Sequence, residues 1–468
     1  MRSYNFGKGC KVELHGHGKP IMEIVQEKVA EMELKHKEDA FYLADLGDVV
    51  KKYEKWSELL PRVEPFYAVK CNPDLPVLKL LAHLGAGFDC ASKDEIAKVL
   101  KFGVPTSKII YANPCKQNAF IRYAAKQDVQ MMTFDNEAEL YKVKAAFPNA
   151  RLVLRILPPA NFKVQCELGN KFGCHPKDAR ALLMKALELD LNVIGISFHC
   201  GSGVGEAAAF SAAVEASAEV FDIGQSLGFD FDLLDIGGGF PGHAGGAISF
   251  EEVAEVLNDA LNKYFPPKRN VRIIGEPGRY FVSSAFNLTV SIIAKRMVAT
   301  DAKAVALERS EEPAFMYYVN DGVYGSFNCL LYDHAKVEAS LVNAPVNAME
   351  FRTSIWGPTC DGLDQILKEV RLPELCVGDY LNFPNMGAYT VAAGTTFNGM
   401  PRPEMFYHCS ENVWCHLFPD ALKAKGPGRL TGKIPFLKAG HDLDKVEHER
   451  VPPSPVVLLD ADEDAFFN

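Results

Sequence analysis

FYAVK, residues 66–70, is a short apolar run that stops on a lysine, and it sets the pattern for the chain as far as residue 276. Seven more runs follow: AGFD (86–89), KIIYAN (108–113), MMTFD (131–135), RLVLR (151–155), IGISFH (194–199), FDLLDIGG (231–238) and RIIGE (272–276). They finish on Lys70, Asp89, Asn113, Asp135, Arg155, His199, Gly237 and Glu276. Between them apolar residues recur at helical spacing, as in LPVLKLLAHLG (75–85), DEIAKVLKFG (94–103) and NEAELYKVKAAF (136–147). SKDE (92–95) has capping-box spacing, and FEEVAEVLNDALNKYFPP (250–267) is an amphipathic helix stopped by two prolines. Successive ends from Lys70 to Arg155 are 19 to 24 residues apart, one right-handed strand–helix unit. Strands buried on both faces read as continuous apolar runs, and a closed parallel barrel collects their carboxyl ends at one mouth. The expected fold is an α/β (β/α)8 TIM-like barrel over residues 43–283.

Beyond residue 283 the rhythm changes. SAFNLTVSIIAKRMV, PAFMYYVNDG, KVEASLV, AMEFRTSIWG, GDYLNFPN and EMFYHC are β-branched, aromatic and punctuated by Gly, Pro and Asn. They predict a second, all-β barrel or sandwich domain over 284–421, with residues 1–42 contributing strands. The insertion PPANFKVQCELGNKFGCHP (158–176) reads as a loop on the active rim, and HGHG (15–18) as a solvated loop rather than a pair of metal ligands. DQILKEV (364–370) reads as a helix, and residues 422–468, with several prolines and the finish LDADEDAFFN, as a poorly ordered tail.

A chain of 468 residues exceeds one ordinary core, consistent with two domains. Net charge −10 argues against a nucleic-acid binder and is compatible with a small cationic substrate. The start carries no apolar core of signal-peptide length and no run approaches a membrane span, so a cytoplasmic protein without membrane contact is expected. Twelve cysteines without CxxC pairs imply free thiols and no metal cluster, with Cys90 and Cys329 as small core residues.

Several motifs carry chemistry when taken together. A lysine at a strand end, such as Lys70, is ordinarily a solvated loop residue. In DIGGGFPG (235–242), however, Gly237, Gly238 and Gly239 let backbone N–H groups close around an anion, although a glycine triplet alone is a turn as often as a phosphate cradle. Without GxGxxG spacing a bare phosphate fits better than a nucleotide. GEPGRYF (275–281) adds Gly278 and Arg279 beside Glu276, an acid that either pairs with Arg279 or faces a pyridine nitrogen and keeps it protonated. In HCGSG (199–203), His199 can stack on an aromatic ring while Ser202 donates to phosphate; as a core histidine it would be unremarkable. Cys360 in WGPTCDGLD (356–364), placed before the expected helix, would feel its dipole, though most cysteines are inert.

With PFYAVKCN, FHCGSG, DIGGGFPG, GEPGRY, NDGVYGSFN, WGPTCDGLD and NMGAYT in order across residues 38–416, the chain resembles the eukaryotic ornithine decarboxylase family of pyridoxal-phosphate enzymes with an alanine-racemase-like barrel. The resemblance implies pyridoxal 5′-phosphate as cofactor, joined to Lys70, with Glu276 on its ring nitrogen, His199 on its face, and Asp89 and Arg155 supporting the pocket. Ser202, Gly239, the 276–279 turn and Tyr389 would hold the phosphate. Cys360 would protonate the carbon that loses CO2. Asp333 with Tyr332, and Asp361, would take the far ammonium of L-ornithine, and Phe397 would line that end. It also implies a homodimer with shared sites, Cys360 and Asp361 reaching the neighbour's barrel; an antizyme-like inhibitory protein is a candidate further partner, whose binding the sequence does not decide. Decarboxylation of L-ornithine to putrescine is the implied activity. A lysine or diaminopimelate decarboxylase on the same fold, and an inactive homologue that binds a partner of the active enzyme, are the rivals. Cys200 stands where many relatives have valine.

Overall fold

The computed structural model describes residues 2–7, 10–159, 162–166, 168–169, 171–298, 315–343 and 348–419, so the expected tail at 422–468 lies outside the described residues. The eight apolar runs become eight strands: Val63–Ala68, Gly87–Cys90, Ile109–Tyr111, Met131–Phe134, Arg151–Arg155, Asn192–Ser197, Leu233–Asp235 and Arg272–Gly275. Each pairs in parallel with the next and the last pairs with the first, which closes the barrel. Alternate residues point inward, and Phe66, Ile110, Met131, Val153, Ile194 and Ile274 meet on the axis as a packed core. Each such side chain, fully buried, contributes roughly 1.5–3 kcal/mol. The barrel is therefore solid below, and chemistry is confined to its mouth.

The helices between strands start and stop where local signals put them. Leu75–Leu84 ends at Gly85, whose φ of 93° is the left-handed cap. Phe250–Tyr264 begins with a complete capping box between Ser249 and Glu252. At Ser92 the box is only half formed: the serine accepts from the N–H of Glu95 at 3.3 Å, but the Glu95 carboxylate reaches back to the N–H of Ala91 at 2.6 Å. The expected loop at 158–176 contains a strand, Val164–Cys166, paired antiparallel with Ser202–Val204, so the rim insertion is tied to the HCGSG motif.

The second domain is a ten-stranded sheet. Its long strand Phe286–Met297 changes partners along its length: Phe41–Asp45 and Tyr380–Phe383 flank its first half, and Phe315–Val319 its second. Arg2–Gly7 and Cys10–His15 extend the sheet through Glu404–Ser410, so the amino terminus contributes strands as expected. Two sequence readings are corrected here. DQILKEV is not a helix but part of the strand Gln365–Pro373, antiparallel to Glu350–Trp356. A partner strand supplied its ladder, and that tertiary pairing outweighed a seven-residue helical spacing. His15 of HGHG is buried at a strand end, its ring 5.6 Å from that of His408, and not in a solvated loop. All twelve cysteines are free thiols, Cys90 and Cys329 among the buried ones. No helix among the described residues is long and apolar enough to cross a membrane.

Candidate active site

The first barrel strand stops at Ala68, and one tight turn, Val69–Cys71, carries Lys70 over the mouth. That turn is stitched to two distant motifs. The N–H of Ala68 donates to the carbonyl of Pro277 at 3.2 Å, and the N–H of Tyr389 donates to the carbonyl of Cys71 at 2.9 Å. The buried Asn72 amide donates to the Gly387 carbonyl at 2.9 Å. PFYAVKCN, GEPGRY and NMGAYT thus converge although the Asn72–Gly387 bond alone spans 315 residues. Lys70 Nζ donates to Asp89 Oδ2 at 2.5 Å, while Asp89 Oδ1, fully buried, has no partner. Protein surrounds the lysine, yet 39% of its side chain stays accessible because the mouth is open. Burial pulls its pKa down, but Asp89, Glu276 and Tyr389 outweigh burial and hold the ammonium above its ordinary range.

Beneath the lysine lies an unbalanced charge set. Burial, with Asp235 and Asp89 nearby, holds the Glu276 carboxyl well above its usual range, against the pull of Lys70 and Arg155. Burial likewise pushes Asp235 up to about 7, against the Gly237 N–H that its Oδ1 accepts at 2.9 Å and the neighbouring Glu276 carboxyl. Three carboxyl groups facing two cations retain a proton on the Glu276–Asp235 pair. Burial, Arg155 and Lys70 keep His199 neutral, far below its ordinary pKa. Its Nδ1 accepts the N–H of Gly201 at 3.0 Å, which leaves the ring proton on Nε2. Arg155 and His199 line a hollow of about 190 Å³ together with Phe172 and Cys200.

The glycine turn packs against HCGSG. Gly237 has φ +63°, and a Cβ there would lie 2.1 Å from the Phe198 carbonyl oxygen; Gly239 has φ +105°, and a Cβ there would lie 2.4 Å from that of Gly201. Glycine is required because two backbones touch, a demand stronger than the need to leave an anion room. Gly238 and Gly278 are also crowded, though less so: a Cβ there would lie 2.6 Å from the Glu276 carbonyl oxygen and 2.9 Å from Cys71 Cβ. Arg279 stands beside this turn. Its guanidinium donates to both oxygens of Asp333 at 2.7 and 2.8 Å and to Ser202 Oγ at 2.8 Å, and Tyr389 lies 5.2 Å away across its face. Arg279 Nε is buried with no partner.

The remaining expected residues form a second group. Cys360 is exposed and its N–H donates to Asn398 Oδ1 at 3.1 Å. With DQILKEV a strand, no helix follows Cys360, and the dipole argument for its reactivity falls. Asp361 accepts from the Tyr324 hydroxyl, which holds the carboxyl below its ordinary range. Phe397 packs on Tyr324 with ring centroids 4.5 Å apart, and Tyr332 is 72% exposed. Among the described residues, no hydrogen bond, ion pair or ring contact joins Cys360, Asp361, Tyr332 or Phe397 to Lys70, His199 or Glu276. Asp333 alone of the distal set sits with the barrel group, held by Arg279 and by the amide of Gln165.

Two residues of this constellation escaped sequence reasoning. Asp235 stood in the quoted DIGGGFPG, where an acid between a buried strand and a glycine turn was the available signal. Gln165 carried no signal, because nothing in the rim insertion announced which residue would face Asp333.

Comparison with known proteins agrees with this geometry. The family described as "Pyridoxal-dependent decarboxylase, pyridoxal binding domain" matches residues 46–283. The ornithine decarboxylase of Mus musculus is 52% identical over 417 residues, covering 87% of this chain and 90% of that protein. Antizyme inhibitor 2 of Xenopus laevis is 51% identical over 393 residues, covering 84% and 86%. The crystal structure of the Paramecium bursaria Chlorella virus arginine decarboxylase superposes with a TM-score of 0.76 at 34% identity, covering 82% of this chain and all of that one. With a closed barrel whose mouth gathers Lys70, Asp89, Glu276 and Arg279, and with these relatives over most of its length, the chain belongs to the pyridoxal-dependent decarboxylase family.

Proposed function

We propose that the protein binds pyridoxal 5′-phosphate at the barrel mouth and decarboxylates L-ornithine to putrescine and CO2. One observation carries the reading: a lysine paired with a buried acid shares the mouth with a proton-retaining Glu276 and an arginine with a free buried N–H. The residues fit the cofactor at both ends. Arg279 Nε, Ser202 and the backbone of Gly238, Gly239 and Gly278 suit a phosphate dianion, and Glu276 has a proton to give a ring nitrogen. Bound there, the cofactor supplies an aldehyde for an amine and a protonated ring that accepts the electron pair left by departing CO2.

The chain's own residues do the rest. Lys70 must lose its proton to attack the aldehyde, and Asp89 at 2.5 Å is the acceptor in reach. Glu276 protonates the ring nitrogen and stays beside it as a carboxylate. Neutral His199 offers an uncharged face that does not compete for that proton. Cys360 returns a proton to the carbon that lost CO2. Asp333 and Asp361 take the distal ammonium, which unpaired in a buried pocket would cost several kcal/mol.

The separation of Cys360 and Asp361 from Lys70 supports a homodimer in which each mouth is completed by the other chain. An exposed surface carrying Tyr332, Leu363 and Phe397 is consistent with such a contact. The likeness to an antizyme inhibitor keeps a regulatory reading in play, against which stands the intact Lys70–Asp89–Glu276–Arg279 set. CO2 release from ornithine, lysine and arginine, compared side by side with added cofactor, tests the proposal. Ornithine should be fastest, with some lysine turnover because one methylene discriminates by only about 1–3 kcal/mol. Preference for arginine overturns the substrate, and no turnover of any of the three favours the regulatory reading.

A further inference from the structure

Asp333 follows the short helix Cys329–Tyr332 and is only 4% exposed, so its carboxylate must be held by donors. Two elements supply them. From the barrel, Arg279 grips both oxygens at 2.7 and 2.8 Å. From the rim, the Gln165 amide donates to the Asp333 carbonyl oxygen and, at 3.2 Å, to Oδ2. Gln165 is brought there by the pairing of Val164–Cys166 with Ser202–Val204. At Gly203 a Cβ would lie 2.7 Å from Gln165 Oε1, so the missing side chain lets the glutamine lie flat toward Asp333.

Arg279 has two claimants. Its Nε is free and it also donates to Ser202, so an arriving phosphate meets a guanidinium already engaged by Asp333. A phosphate that drew Arg279 away would leave Asp333 without its cation, with the Gln165 amide at 3.2 Å and, more distantly, the Cys166 thiol at 3.8 Å as the side-chain donors to its carboxylate. We propose that Gln165 is a positioning residue that holds Asp333 in place for the substrate's distal ammonium after the cofactor phosphate has taken Arg279. This deepens the ornithine reading and rests on it.

The test uses the full chain loaded with pyridoxal 5′-phosphate and the variant Gln165→Leu. Gln165 is exposed, so leucine strains nothing, and Gln165→Thr, which suits a strand, separates the amide from side-chain volume. Losing one hydrogen bond to a charged group should raise KM for ornithine roughly ten- to a hundredfold, with kcat within about twofold. Calorimetric Kd for putrescine should rise in parallel, while inhibition by norvaline, which has no distal ammonium, should not move. An unchanged KM and putrescine Kd, or an equal loss for norvaline, overturns the role of Gln165. Wild-type protein that fails to decarboxylate ornithine overturns the proposed function instead, while the calorimetric comparison still reads Gln165; wild type that binds putrescine no better than norvaline overturns both.

Discussion

Asp235→Asn should make the cofactor-free protein's stability less sensitive to rising pH, and the size of the effect follows from the site. Asp235 is fully buried, accepts the Gly237 N–H at Oδ1 and has the Glu276 carboxyl as its neighbour. Burial raises its carboxyl from 3.8 to about 7. The folded protein therefore holds a proton that the unfolded chain releases. Stability is whole below the unfolded value, falls as pH rises, and has lost its full share above about 7. At 1.36 kcal/mol per unit the whole window is worth about 4 kcal/mol, of which about 2 kcal/mol falls between pH 5.5 and 8. Asparagine keeps the acceptor for the Gly237 N–H and removes the titration of Asp235, while Glu276, raised first by its own burial, keeps its own. Its buried amide donors add a cost of about 1–3 kcal/mol, but that cost does not vary with pH. The Tm difference, variant minus wild type, should thus move in the variant's favour by about 2–4 °C from pH 5.5 to 8. Thermal unfolding of both cofactor-free proteins across that range measures it. A difference that stays flat refutes the buried shared proton.

Other substitutions probe the remaining parts. Gly237→Ala puts a methyl 2.1 Å from the Phe198 carbonyl oxygen in a left-handed backbone costing roughly 1–2 kcal/mol by itself, so cofactor retention, read by visible absorbance, should fall at least tenfold with a lowered Tm. Asn72→Ala leaves the Gly387 carbonyl and the Asp74 N–H without their side-chain partner and should cost about 2–4 kcal/mol in denaturant unfolding, with slower borohydride trapping of cofactor on Lys70. Lys70→Ala should abolish that trapping. Mixing inactive Lys70→Ala and Cys360→Ala proteins should restore roughly a quarter of wild-type activity if chains exchange at random and each site draws on two. Mixtures that stay inactive although mass measurement shows mixed dimers would refute the shared site.

Periodicity alone determined the barrel. Eight continuous apolar runs, each ending on a polar or glycine residue and separated by helical spacing, admit little else, because strands covered on both faces must be apolar throughout and parallel neighbours need a crossover. Lys70, Asp89, His199 and Glu276 were legible for the same reason: a strand end in such a barrel is a place in the mouth. Local pattern failed where a partner supplied the hydrogen bonds. DQILKEV became a strand against Glu350–Trp356, and with it went the helix proposed for Cys360. Tertiary structure alone decided that Asp333 is gripped by Arg279, that Gln165 reaches it from the rim, and that Asp235 and Glu276 are buried as neighbouring acids, each raised by burial. Those are properties of distance and dielectric between segments far apart in the chain. No spacing along a sequence encodes them, since each depends on which backbones the closed barrel presses together.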